Sequence, residues 1–265
     1  MQIRKSERFC IGVILFHPST DEIDSLLALA KNHDVYVFAN SILENDLREQ
    51  LQKDTFYLQH PSKNYGISQA LNVLFKQAIA DGFDYFLCLD QDSIVGEFCS
   101  NSLLDEISSL DAEHGNDRIV GFCLNFNLGN GEFKTFFITS GTVFCLKYLS
   151  EVGFYNEQYF VDLADYELSL RSYVENFKII NLENNIFFDH TTGQVDTLHG
   201  FFGMRLKSRR YGLDRFKQSI FGYVRLSYYC LQTLRFNLLA KTFRSFMIFF
   251  FYRIVSFFPV IDNNK

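Results

Sequence analysis

The sequence has no tryptophan, no Cys-x-x-Cys pair and no uninterrupted apolar run of the ~18 residues that a membrane span needs. Its six cysteines, Cys10, Cys88, Cys99, Cys123, Cys145 and Cys230, are spaced neither for zinc nor as a disulfide framework. Several sit in apolar runs, where a free thiol behaves as a small hydrophobe, so the compartment implied is a reducing cytoplasm. Internal repeats and low-complexity linkers are also missing. In SFMIFFFYRIVSFFPVI (245–261) the charge of Arg253 and the short length speak against crossing the bilayer, though not against lying on it. The opening MQIRKSERFCIGVILF has only a short apolar stretch before His17 and Pro18 and reads as a first strand rather than a signal peptide.

What is present is apolar and divided in charge. A chain of 265 residues and 31.0 kDa, 48% hydrophobic, can bury one large core or a core with an appendage. Its 31 Phe and 14 Tyr are weighted towards the C-terminus. Residues 201–265 hold 12 Lys or Arg against 2 Asp or Glu, or +10, which leaves −16 for residues 1–200 and a net charge of −6. An acidic body with a basic tail implies a tail that meets something anionic.

FCIGVILF (9–16) reads as a buried strand, and STDEIDSLLALAKN (19–32) as a helix capped by Ser19 or Thr20 with acidic residues in its first turn. DVYVFANS (34–41) and TFYLQH (55–60) read as strands, with a short helix at ENDLREQL between them. NYGISQALNVLFKQAIADG (64–82) is predicted to be a helix, starting at Gly66 and stopping at Gly82, and FDYFLCLDQDS a fourth strand. This alternation predicts an α/β fold, a mostly parallel sheet with helices on both faces and its site at the carboxyl ends of the strands. His17, Asn40, Asn64 and Asp90 would gather on that edge. Further on, RIVGFCLNFN and FKTFFITSGTVFCL read as an antiparallel pair of strands and VDLADYELSLRSYVEN (161–176) as a helix. FKIINLENNIFFDHTTG returns as strands, and from Phe202 onwards the chain reads as helical, basic and aromatic.

In LDQDS, two carboxylates, Asp90 and Asp92, crowd the end of a buried strand. Like charges that close persist when a cation or several donors neutralise them. Mg²⁺ or Mn²⁺ suits such a pair, because hard cations take carboxylate oxygens and fill remaining positions with water and substrate diphosphate. The plainer reading is a solvated turn. In FVDLADYELSLR, Asp165 falls near a helix start, which favours its ionised form, and Glu167 and Arg171 lie four apart on one face and can pair. In FFDHTTG, His190 can complete a metal site or bond across a loop to Asp189.

Five motifs in order, NYGISQALN, LDQDS, ITSG, FVDLADYELSLR and DHTTG, span residues 64–193. This order resembles the inverting family-two glycosyltransferases of GT-A fold, in their bacterial rhamnosyltransferase-like branch. The resemblance implies Asp92 as direct metal ligand, Asp90 close to the ribose or the metal, and His190 as a third ligand. It makes Asp165 the general base, with Glu167 and Arg171 supporting it and Asp162 as the rival base. The donor diphosphate would pass NYGISQALN, at Asn64 and Gly66, while Ser140 and Gly141 of ITSG would face the acceptor. Two departures stand out. Ala39 occupies the place of a base-reading Asp, and FHPS replaces the usual end of the first strand. Base recognition then falls to His17, Asn40 or backbone.

These readings combine into a GT-A catalytic domain at 1–200, with a donor half 1–95 and an acceptor half 96–200, followed by a helical basic and aromatic segment at 201–265. The activity implied is transfer of a sugar, L-rhamnose from dTDP-rhamnose first and a UDP-sugar (galactofuranosyl, galactosyl or glucosyl) second, to a hydroxyl of a lipid-linked bacterial cell-surface polysaccharide such as O-antigen. The enzyme would work in the bacterial cytoplasm, peripheral on the inner face of the membrane through residues 201–258, with packing on protein or a homodimer as the alternative use of that segment. Nucleic acid is not an expected partner, since the body is acidic and no recognition motif accompanies the basic patch. A non-catalytic nucleotide- or membrane-binding assembly partner is the rival class.

Overall fold

Period-two alternation inside single strands decides how the sheet is covered. In the computed structural model, which describes residues 8–59, 63–95, 100–114, 117–124, 136–182, 188–190, 197–201, 204–208, 212–258 and 260, the chain divides into two compact units, Met1–Thr191 and Thr192–Lys265. The first unit begins with β1 (Phe9–Leu15), α1 (Thr20–Ala30), β2 (Val35–Ala39), α2 (Asn45–Asp54), β3 (Phe56–Gln59), α3 (Gly66–Ala80) and β4 (Tyr85–Asp90). It continues through β5 (Ser93–Val95), α4 (Ser100–His114), β6 (Arg118–Cys123), β7 (Thr142–Cys145), α5 (Leu146–Val152), α6 (Ala164–Val174), β8 (Phe177–Asn181) and β9 (Phe188–His190).

Seven strands form one sheet in the order β3-β2-β1-β4-β7-β6-β8, and only β7 runs against the others. Ile11, Val13 and Leu15 of β1, with Leu87 and Leu89 of β4, enter one apolar cluster together with Ile23 and Leu26 of α1, Leu51 of α2 and Leu103 and Ile107 of α4. The opposite face carries Phe86 and Phe144, whose rings lie 4.8 and 5.5 Å from Phe75 of α3. Gly12 is required there, because the Phe86 ring fills the space that a Cβ would take.

Local chemistry sets the helix starts. Ser19 caps α1 in a full capping box with Glu22. The fourth strand is shorter than the expected stretch 83–93: it ends at Asp90, Gln91 and Asp92 turn, and Ser93 opens β5, which pairs with β9 in a separate two-stranded sheet. The helix expected over 161–176 begins only at Ala164, because Leu163 before it is left-handed, at φ 68°.

The second unit holds β10 (Thr197–Phe201) and β11 (Met204–Ser208), paired antiparallel, then α7 (Leu213–Gln232) and α8 (Phe236–Val255). The expectation of helix from Phe202 onwards is corrected here. Met-Arg-Leu-Lys-Ser alternates apolar and basic residues, which suits a strand, and its basic composition masked that period. The helices pack antiparallel, with Tyr223 5.3 and 5.6 Å from Phe246 and Phe249, and Phe216 5.9 Å from Phe249. His199 is buried, with Nδ1 2.8 Å from the Phe258 carbonyl. Among the described residues, no helix is long and apolar enough to cross a membrane.

Candidate functional site

Parallel register brings the polar strand ends together. Leu15 pairs with Ala39 and Ile14 with Asp90, so His17, Asn40 and Asp90 emerge on one edge of the sheet. Asp90 is exposed and Asp92 half-buried. Between them, Gln91 locks the turn to the end of β1: its Oε1 accepts from the Phe16 N–H at 2.7 Å and its Nε2 donates to Glu22 at 3.2 Å. Glu22 therefore serves both the cap of α1 and the acidic turn. His190 pairs with Ser93 in the β5–β9 ladder, one residue beyond Asp92. That places its backbone beside the pair, while its side chain lies outside the described residues.

Two consecutive residues of ITSG tie the two candidate carboxylates into one strip. The buried Ser140 Oγ accepts from the Asp90 N–H at 2.9 Å and lies 2.9 Å from Ser93 Oγ. The Thr139 N–H donates to the Asp165 carboxylate. Gly141, at φ 77°, donates its N–H to the Cys88 carbonyl at 2.8 Å and its carbonyl accepts from Leu124 at 2.8 Å, which stitches the strip between β4 and β6.

Asp165 stands in the first turn of α6. Burial pushes its pKa above the ordinary carboxylate value, and the nearby charge of Asp162 adds to this. Its own N–H and those of Thr139 and Tyr166 pull in the other direction. A carboxyl whose proton affinity is raised in this way accepts a proton more readily than an ordinary Asp, the property a general base needs. Tyr155, fully buried and absent from the sequence-based candidates, puts its hydroxyl 2.7 Å from Thr139 Oγ1. Burial raises its pKa well above the usual tyrosine value, and Cys88, Asp165 and Asp90 raise it further, so the phenol lies within electrostatic reach of both carboxylates.

The start of α3 holds the loop that leads to Asp162 and Asp165. Ile67 N–H donates to the Phe160 carbonyl at 2.7 Å, Ser68 Oγ donates to the Tyr159 carbonyl, and the Asn72 amide grips both the N–H and the carbonyl of Tyr155 at 2.9 and 2.8 Å. Asn64 Oδ1 accepts from the Gly66 N–H at 2.7 Å, while the buried Asn40 accepts from Tyr65 N–H at 3.0 Å and donates to the Gly66 carbonyl at 2.9 Å. Both ends of the Asn40 amide are thus occupied in shaping this turn. Gly66 has φ 73°, and a Cβ there would meet the Phe160 carbonyl and ring. The glycine is needed for this approach of protein to protein.

On α6, Glu167 and Arg171 form the expected pair, with two contacts of 2.9 and 3.0 Å. Arg171 also donates to the carbonyls of Val152 and Phe154, so it clamps the turn after α5 to the helix that carries Asp165. Asp162 is half-buried three residues before Asp165. His17 is exposed, with φ 50° and its N–H 2.8 Å from Ser41 Oγ. Ala39 is fully buried and cannot touch a base.

No family model matches the chain, and no curated protein matches it. Among solved structures, S. aureus TarS is similar at TM-score 0.51 and 17% identity over 68% of this chain. GalNAc-T7, solved with UDP, GalNAc and Mn²⁺, is similar at TM-score 0.52 and 10% identity over 66%. The chain has a GT-A-like fold. It spans 36% of the TarS chain and 42% of the GalNAc-T7 chain. Among the described residues of this GT-A-like chain, no three His, Cys, Asp or Glu side chains form a cation cage. The Asp90 and Asp92 carboxylates nevertheless fit Mg²⁺ or Mn²⁺, since Mg²⁺ sites that bind phosphates commonly use one or two carboxylates and take other ligands from substrate and water.

Proposed function

We propose that the protein is an inverting, metal-dependent glycosyltransferase that moves L-rhamnose from dTDP-rhamnose to a hydroxyl of a lipid-linked bacterial polysaccharide, such as O-antigen, at the inner face of the cytoplasmic membrane. The observation that carries transfer is the Thr139–Ser140 strip, which holds Asp165 by a backbone N–H and Asp90 by a side-chain hydroxyl. Asp165 takes the proton of the acceptor hydroxyl. The hydroxyl oxygen then attacks the anomeric carbon from the face opposite the donor oxygen, and the bonding pair leaves with the nucleoside diphosphate. Asp92, with Asp90 and His190, would hold a divalent cation that neutralises charge on the leaving diphosphate.

Glu167 and Arg171 keep α6 in place under Asp165, with Asp162 as the second candidate base. Asn40, Asn64 and Gly66 shape the donor side, and the exposed His17 is available to the base. Ser140 and Gly141, both buried, back the acceptor side from beneath. The fold shared with TarS and GalNAc-T7, the latter holding UDP and Mn²⁺, supports a nucleotide-sugar and a cation. The rhamnose assignment rests on the motif resemblance alone, and a UDP-sugar is the runner-up.

The test is calorimetric titration of dTDP, UDP and GDP into the full chain, with and without Mn²⁺. Manganese-dependent binding of dTDP is the expected result, and preference for UDP would move the donor to the second reading. Absence of binding by all three would replace transfer with a non-catalytic role, for which the buried Ala39 is the structural argument.

A further inference from the structure

We propose that the exposed apolar rows of α7 and α8 seat the chain on a lipid surface with anionic headgroups. On α7, Ser219, Tyr223, Leu226 and Cys230 face inwards. Half a turn away, Phe221, Val224 and Tyr228 are 61%, 60% and 61% exposed. On α8, Leu238, Thr242 and Arg253 face inwards, while Phe243, Met247 and Ile254 are 61%, 49% and 40% exposed. Steps of three, four and seven keep each row on one side of its helix. The helices run antiparallel and meet through Phe216, Tyr223, Phe246 and Phe249.

Single exposed apolar residues are ordinary, but a row of them on each of two packed helices marks an interaction surface. Its charge selects the occupant. Exposed Lys217 and Arg225 lie in or beside the row on α7, and exposed Arg244 borders that on α8. Across α7, α8 and the turn between them there are seven Lys or Arg, and Asp214 is the single acidic residue. A second copy would set two basic borders against each other with only Asp214 to answer them. An anionic monolayer accepts the rings at the headgroup boundary and the basic side chains at its phosphates. Neither helix is long and apolar enough to cross, so the hairpin lies along the interface. This argument rests on α7 and α8 alone and is independent of the proposed transfer, although a lipid-linked acceptor would give it a purpose.

The test is co-sedimentation of the full chain with phosphatidylcholine vesicles, with and without phosphatidylglycerol, over a range of NaCl. Binding to the phosphatidylglycerol vesicles that weakens with salt is expected, with a loss of roughly fivefold for each of Lys217→Gln and Arg244→Gln. Phe221→Ser and Phe243→Ser should also weaken binding, and being exposed they should leave the melting temperature unchanged. Equal binding to both vesicle types at all salt concentrations would overturn the headgroup assignment. Failure to bind vesicles would overturn the proposal, and a dimer that Phe243→Ser dissociates would then give the rows to a second copy. Nucleotide titration of the same variants keeps this outcome separate from that of the donor site.

Discussion

In its proposed role as general base, Asp165 sets catalysis against stability. Burial raises its folded pKa above the unfolded value, so the folded state holds the proton more tightly than the unfolded chain does. Its contribution to stability is therefore full below the ordinary Asp pKa and is lost as pH rises through the folded value. Asp165→Asn is expected to abolish transfer while melting at or above the parent temperature at pH 7, with the difference closing below about pH 4. A lower melting temperature at pH 7 would mean that the three N–H donors outweigh burial. In the parent, the acid limb of the rate profile should lie above that of an ordinary Asp. Gly66 poses a steric problem instead of an electrostatic one. Gly66→Ala should cost about 2 kcal/mol or more in urea unfolding, because a positive φ and the Phe160 carbonyl both oppose a Cβ.

At the scale of elements, α6 is fixed by a side-chain clamp more than by its own helix chemistry, since Leu163 at its start makes no side-chain cap. Arg171, paired with Glu167 on the same helix, ties it to the carbonyls of Val152 at the end of α5 and Phe154 beyond it. Arg171→Ala leaves a buried carboxylate and should cost about 3 kcal/mol, whereas the Glu167→Ala/Arg171→Ala double variant should cost less than the sum of the single ones. Urea melts of the three variants would measure this, and strict additivity would mean that the pair is not coupled. The pair was legible in the sequence because it needs only a spacing of four on one helix. So were β1 to β4 and the gathering of their polar ends, which follow from alternating strand and helix periods. Tyr155 was not legible: its partner Thr139 lies 16 residues away on a different segment, and no local pattern connects them. Gln91 and Asn72 were visible inside motifs, but their use in holding β1 and the 155–160 loop appears only in three dimensions. The hairpin of β10 and β11 was hidden by composition.

For the molecule as a whole, the question raised by the proposed transfer is how an acidic body would receive an anionic donor. Residues 1–200 carry −16, and at low salt such a field reaches tens of ångströms. A nucleoside diphosphate approaching the strand ends therefore meets repulsion before it meets Asp90 and Asp92. Two salt responses are expected from this. Without a divalent cation, nucleotide binding should tighten as NaCl screens the body. With Mg²⁺ or Mn²⁺ present, affinity should rise about tenfold or more at low salt, and Asp92→Asn should remove that gain while leaving the cation-free affinity at or above that of the parent. Titration calorimetry over a salt series separates these responses. If the cation gain survives in Asp92→Asn, the cation sits elsewhere; if it is lost, the long-range charge of the body and the short-range chemistry of one turn act together, and the donor enters as a cation complex.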